Sequence, residues 1–120
     1  MRPLTQSRVT PAKDLIGSPV HDRDGARLGR LIDFAIDLAP VRIGYAVLSF
    51  GGFLGFGSKL FAIPWNALTL DAREERFVLN VSKEKLENAE GFDKDNWPDL
   101  NETGYRSQVY ALYNVKPDWM

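Results

Sequence analysis

Apolar and polar side chains alternate along the first two thirds of this chain with a period of two, which belongs to strands rather than helices. Residues 15–20 read as a first short strand, and Asp24-Gly25 supplies the positive φ angles of a tight hairpin turn. From position 28 onward, Leu28, Ile32, Phe34, Ile36 and Leu38 share one face, while Gly29, Leu31, Asp33, Ala35 and Asp37 share the other. This predicts a strand with one core face and one wetter face, with Arg30 and Leu31 as exceptions to the rule. Pro40 interrupts the ladder because it has no N–H to donate. In the run 42–50 both faces are apolar, with Ile43, Tyr45 and Val47 alternating with Ala46, Leu48 and Phe50. A central strand covered on both sides is expected there.

A glycine-rich loop follows at 51–58, then a strand at 59–63 that ends at Pro64-Trp65. Residues 68–71 and 76–81 predict a last hairpin around the charged turn 72–75. Several short strands with turn signals between them predict a small antiparallel β-barrel or sandwich. Ser82 is placed to cap a short helix running to Ala89, with Gly91 at the position of a left-handed C-terminal cap. Asn101 is expected to cap a second helix, on which Tyr105, Val109, Leu112 and Tyr113 form one apolar stripe, and Asn114 and Pro117 suit its end. The expected organisation is a flexible arm at 1–13, a barrel domain at 14–90, and a C-terminal extension at 91–120 with a helix and an aromatic tail.

Composition narrows the function classes. With 44% hydrophobic and 26% charged residues the chain is apolar enough to build a packed core. Fifteen basic against sixteen acidic residues leave a net charge of −1, so the broad positive field of a nucleic-acid binder is missing. The lack of cysteine removes thiol catalysis, disulfides and thiolate metal sites, and fits a cytoplasmic location. The basic residues at the N-terminus are not followed by an apolar run, so no signal peptide is expected. The longest uncharged stretch, 43–58, is rich in glycine and shorter than the roughly 20 residues of a membrane-spanning helix.

Candidate chemistry is sparse. His21 is the single histidine, beside Asp22 and Asp24, and reads as a turn residue unless other ligands converge on it. Aligning Asp22 and Asp24-Gly25 with a calcium loop puts Val20 at the first ligand position and Leu31 at the last, which excludes that site. The run from Gly52 through Gly57-Ser58-Lys59 reverses the Lys-then-Ser order of a phosphate-binding loop and leads into a strand instead of a helix. No catalytic set, metal set or cofactor motif emerges. The candidate interaction surface is aromatic and apolar: Phe53, Leu54 and Phe56 in the glycine-rich loop, and Tyr110, Tyr113 and Trp119 in the tail.

The order Leu15-Ile16-Gly17-x-x-Val20, Asp24-Gly25-x-x-Leu28-Gly29-x-x-Ile32-Asp33 and Ile43-x-Tyr45-Ala46-Val47-Leu48 resembles the PRC-barrel family. The likeness continues through Gly51-Gly52-Phe53-Leu54-Gly55-Phe56-Gly57, Lys59-Leu60-Phe61-Ala62-Ile63-Pro64-Trp65 and Gly91-Phe92-Asp93-Lys94-Asp95-Asn96-Trp97-Pro98, as in stand-alone bacterial members. It implies the barrel shared by the cytoplasmic domain of the photosynthetic reaction-centre H subunit and the C-terminal domain of a ribosome-maturation factor. In those relatives it serves as an assembly surface, not an active site. The leading expectation is therefore a non-enzymatic interaction module that forms a homodimer or docks another protein. The alternatives are an accessory subunit at the inner face of a membrane, bound to a redox complex, and a ribosome-associated factor. For the membrane alternative, the resemblance singles out Asp33 and Asp37 as candidate proton-relay carboxylates.

Overall fold

A computed structural model describes residues 9–51 and 59–116 of the chain. The expectations for Phe53, Leu54, Phe56 and Trp119 lie outside the described residues. The elements are β1 (Pro19–His21), β2 (Arg27–Leu38), β3 (Val41–Phe50), β4 (Lys59–Pro64), β5 (Leu68–Asp71), β6 (Arg76–Leu79), α1 (Lys83–Asn88) and α2 (Thr103–Leu112).

The strands form one curled six-stranded sheet in the order β4-β3-β2-β1-β6-β5. β1–β2, β2–β3, β3–β4 and β5–β6 pair antiparallel, but β1 and β6 run parallel, with Val20 opposite Phe77 and His21 opposite Val78. The sheet is thus mixed rather than purely antiparallel. The expected hairpins are local and carry turn signals, whereas the β1–β6 pairing joins distant segments and leaves no local mark. At the first turn Gly25 takes φ 91°, and Asp22 Oδ1 accepts the N–H groups of Asp24 and Ala26 at 2.9 and 2.8 Å. The side chain thereby holds the backbone reversal.

Two bulges in the β2–β3 ladder decide which side chains reach the core. Leu31 pairs with Leu48 and Asp33 with Val47, so Ile32 is an extra residue. Ala35 pairs with Tyr45 and Ile36 with Ile43, so Gly44 is extra on the other strand. An extra residue shifts the alternation by one. Leu31, expected on the wetter face, is consequently fully buried, and Arg30 is exposed. The core contains Val20, Leu31, Ala46, Leu48, Phe50, Phe61, Ile63, Phe77, Leu79 and Leu86. Trp65 joins two parts of it, with its ring 5.6 Å from Phe34 and 5.9 Å from Phe77.

Ser82 caps α1 as expected, accepting from Lys85 N at 3.1 Å. The other end of α1 is closed by Lys59, whose Nζ donates to the carbonyls of Glu87 and Ala89 at 2.6 and 3.1 Å. A cation there satisfies carbonyls the helix leaves open. Gly91 is not a left-handed cap. It lets the chain pass close to β4, where a Cβ at this position would sit 2.8 Å from the Leu60 carbonyl oxygen. For α2 the cap is Glu102, not Asn101, because the Glu102 carboxylate accepts both Gly104 N and Tyr105 N at 2.9 Å. Asn114 closes the helix in the left-handed region, with φ 55°.

The tail helix packs on β3 and β4, burying Val109, Tyr110 and Tyr113, with the Tyr110 ring 6.2 Å from that of Tyr45. Burial, and secondarily the neighbouring Tyr45, push the Tyr105 phenol from 10.0 up to about 12. Burial pushes Tyr113 further up. Both phenols hold their protons more tightly folded than unfolded, so their contribution to stability is complete below pH 10 and drains away as pH rises beyond it. Thermal melts across a pH series are expected to show a flat neutral region and a decline above about pH 10. Tyr113→Phe is expected to remove much of that decline at little cost near neutral pH. The buried Tyr113 hydroxyl has no hydrogen-bond partner to lose.

Candidate docking surface

The longest strands outrun their neighbours. β4 pairs with β3 only from Tyr45 to Phe50, and β1 pairs with β2 only from Arg27 to Arg30. Beyond those limits residues 36–43 pair within the hairpin as Ile36 with Ile43, Asp37 with Arg42 and Leu38 with Val41. Cross-strand partners project to the same face of a sheet. Phe34 and Ala46, paired lower in this hairpin, belong to the core side. The face carrying Ile36, Ile43, Leu38 and Val41 is therefore the core face of the sheet, continued past the end of the barrel body. Nothing among the described residues covers it: Leu38 is 77% exposed, Val41 78% and Ile36 51%.

The opposite face of the overhang is polar. Asp37 Oδ1 accepts Ala39 N–H at 3.1 Å and Oδ2 lies 3.4 Å from Arg42 Nε. The Ala39 N–H, then Arg42 and Arg106, hold the Asp37 carboxyl below the usual range. Between the overhang, Trp65-Asn66 and Leu100-Asn101 lies a groove of about 540 Å³, with Arg106 and Tyr110 also on its lining. That volume is within the range of about 300–1,000 Å³ seen for ligand sites.

The sequence-predicted residues are dispersed. Tyr110 and Tyr113 are 7% and 5% exposed, packed on the chain's own sheet. Asp33 Oδ1 accepts the Phe34 N–H at 2.7 Å, and Asp37 is engaged with Ala39 and Arg42, so the two carboxylates have separate partners. Lys59 is turned to the end of α1. His21 is half-buried, and its Nδ1 makes no hydrogen bond. Among the described residues no group of three or more His, Asp or Glu is placed to hold a metal ion, and no helix is long and apolar enough to cross a membrane.

The arrangement offers an apolar face, a polar face opposite it and a cleft. The PRC-barrel domain family model matches residues 9–86, most of the chain and all six strands. The chain belongs to the PRC-barrel family. PRC-barrel domains are non-catalytic modules often involved in interactions. No curated protein matches the chain. In this PRC-barrel the overhanging hairpin was missed by reasoning on aromatic residues alone. The signal was present in strand length: 28–38 and 42–50 are long alternating runs flanked by much shorter ones, so part of their apolar face had to lack a neighbour.

Proposed function

We propose that this PRC-barrel is a non-enzymatic protein-interaction and assembly module whose contact surface is the β2–β3 overhang, and that its partner is a second copy of the chain. The observation that carries this reading is the exposure of Ile36, Leu38 and Val41 together on one face of the hairpin, whose opposite face carries the charged pair Asp37 and Arg42. Large apolar side chains exposed together on one face are a usual mark of a contact patch. Two copies packed face to face on this patch form a self-complementary contact, as two-fold symmetry requires. The barrel below, with its closely packed core, holds the hairpin rigidly.

The double variant Leu38→Asp with Val41→Asp tests this. Both positions are exposed, so the fold is expected to survive the change. Light scattering over a concentration series is expected to give a dimer for the unaltered protein and a monomer for the variant. Equal masses for the two proteins would sink the proposal.

A further inference from the structure

A second cavity, of about 90 Å³, lies between β4, α2 and residues 90–92, and shares no lining residue with the groove beside the overhang. Its walls are aromatic. Phe61, Phe92, Tyr105 and Tyr113 contribute four rings, with aliphatic side chains between them. Phe61 and Phe92 are themselves held by further rings, Phe50 at 6.0 Å from Phe61 and Trp97 at 5.2 Å from Phe92. Both phenols keep their protons well past neutral pH, so the lining carries no phenolate charge. Of the lining residues only Glu90 is charged, and it is an exposed anion. The neighbouring cation Lys59 is off the lining, its Nζ donating to the Glu87 and Ala89 carbonyls.

We infer that this cavity binds the trimethylammonium head of a small choline-like molecule. Aromatic faces attract a cation through the ring quadrupole, most strongly where the cation has shed its water. A primary ammonium or a guanidinium would bring N–H groups that apolar walls leave unpaired. A trimethylammonium has none, and it spreads its charge over methyl groups that pack against rings. The size agrees: an apolar cavity of about 150 Å³ takes the six carbons of benzene, so about 90 Å³ suits a head of about four heavy atoms. The Tyr113 hydroxyl, buried and without a hydrogen bond, offers its oxygen to the polarised methyl C–H groups. Glu90 supplies the opposite charge on the lining. It also disfavours a choline lipid, whose phosphate would lie close to that carboxylate. A peptide is disfavoured too, because Leu60 and Phe92 exchange backbone hydrogen bonds at 2.9 and 2.8 Å and leave that part of the β4 edge occupied.

The site is independent of the overhang, so it survives a failure of the dimer. Choline chloride is titrated into the isotope-labelled full chain at constant ionic strength and followed by backbone amide shifts. Saturable shifts are expected at Glu90, Phe92, Tyr105 and Gln108. The isosteric alcohol that carries tert-butyl in place of trimethylammonium has the same shape and no charge, and is expected to bind roughly tenfold more weakly. Glu90→Gln, at an exposed position, is expected to weaken choline binding several-fold and to leave binding of the alcohol unaffected. Tyr105→Leu keeps apolar bulk without the ring and is expected to weaken choline binding by roughly tenfold, with an unchanged amide spectrum elsewhere showing that the variant is folded. Equal binding of choline and the alcohol, shifts that map elsewhere, or no saturable binding would overturn the inference. Phosphatidylcholine vesicles or a trimethyllysine peptide binding far more tightly than choline would overturn the assignment to a free small molecule.

Discussion

A Gly29→Ala variant is expected to lose about 3 kcal/mol of stability or more, which is the upper end for overpacking a closely fitted site. Gly29 lies in β2 opposite Phe50, in the pairing of the two longest strands. A Cβ there would press into the Ser49 carbonyl, 2.9 Å from its carbon atom, and would sit 3.2 Å from a Leu48 methyl. The obstacle is ladder backbone, which cannot swing away as the end of a side chain can. Relief would require opening the β2–β3 pairing, the most extensive in the sheet, next to core residues Leu28 and Leu48. Gly44→Ala provides the control, because its Cβ would meet nothing closer than 3.4 Å and is expected to cost little. Urea denaturation followed by tryptophan fluorescence reads both variants. A Gly29→Ala midpoint close to that of the unaltered protein would mean that the strands do not meet in this register.

The second large effect separates two aliphatic residues of the same strand. Leu31→Ala is expected to cost about 2–5 kcal/mol, since it removes a fully buried side chain and leaves a cavity that rigid strands cannot collapse into. Ile36→Ala, on the 51% exposed overhang, is expected to stay within about 1 kcal/mol. Simple alternation along β2 ranks them the other way, with Ile36 on the core face and Leu31 on the wetter one. The same denaturation experiment therefore tests the bulge at Ile32. Equal losses for the two variants, or a larger loss for Ile36→Ala, would contradict it.

Those two residues show how far the fold was legible. The later strands, the Asp24-Gly25 turn and the Ser82 cap follow from local chemistry and lie where the pattern puts them, whereas the first strand, expected at 15–20, is Pro19–His21, because residues 15–17 form a turn. Arg30 and Leu31 broke the alternation, and that break was the mark of the bulge, since one extra residue exchanges the faces on either side of it. The parallel β1–β6 pairing had no such mark. Its partners are joined through intervening strands, and only the way the whole sheet curls brings Val20 beside Phe77. The cap of α2 fell one residue from its expected place because Glu102 reaches two backbone N–H groups at once, although asparagine is the commoner capping residue.

The candidate site was less legible than the fold. Aromatic residues drew attention to Tyr110 and Tyr113, which the amphipathic stripe of α2 turns inward onto β3 and β4. Burial of a helix stripe is decided by what lies beneath it, and a single chain read in order does not reveal that. The exposed residues of the overhang are plain aliphatics at alternating positions, indistinguishable in sequence from the core residues before them. What separates Leu38 from Leu31 is where the neighbouring strands stop.

The central claim is that this PRC-barrel docks through residues 36–43. Hydrogen exchange of the full chain at a low and a high protein concentration tests it most directly, because it reads the contact surface itself. The account predicts that raising the concentration slows exchange in the 36–43 segment and leaves the barrel body unchanged. Exchange there that is indifferent to concentration, or new protection confined to another part of the chain, would contradict it.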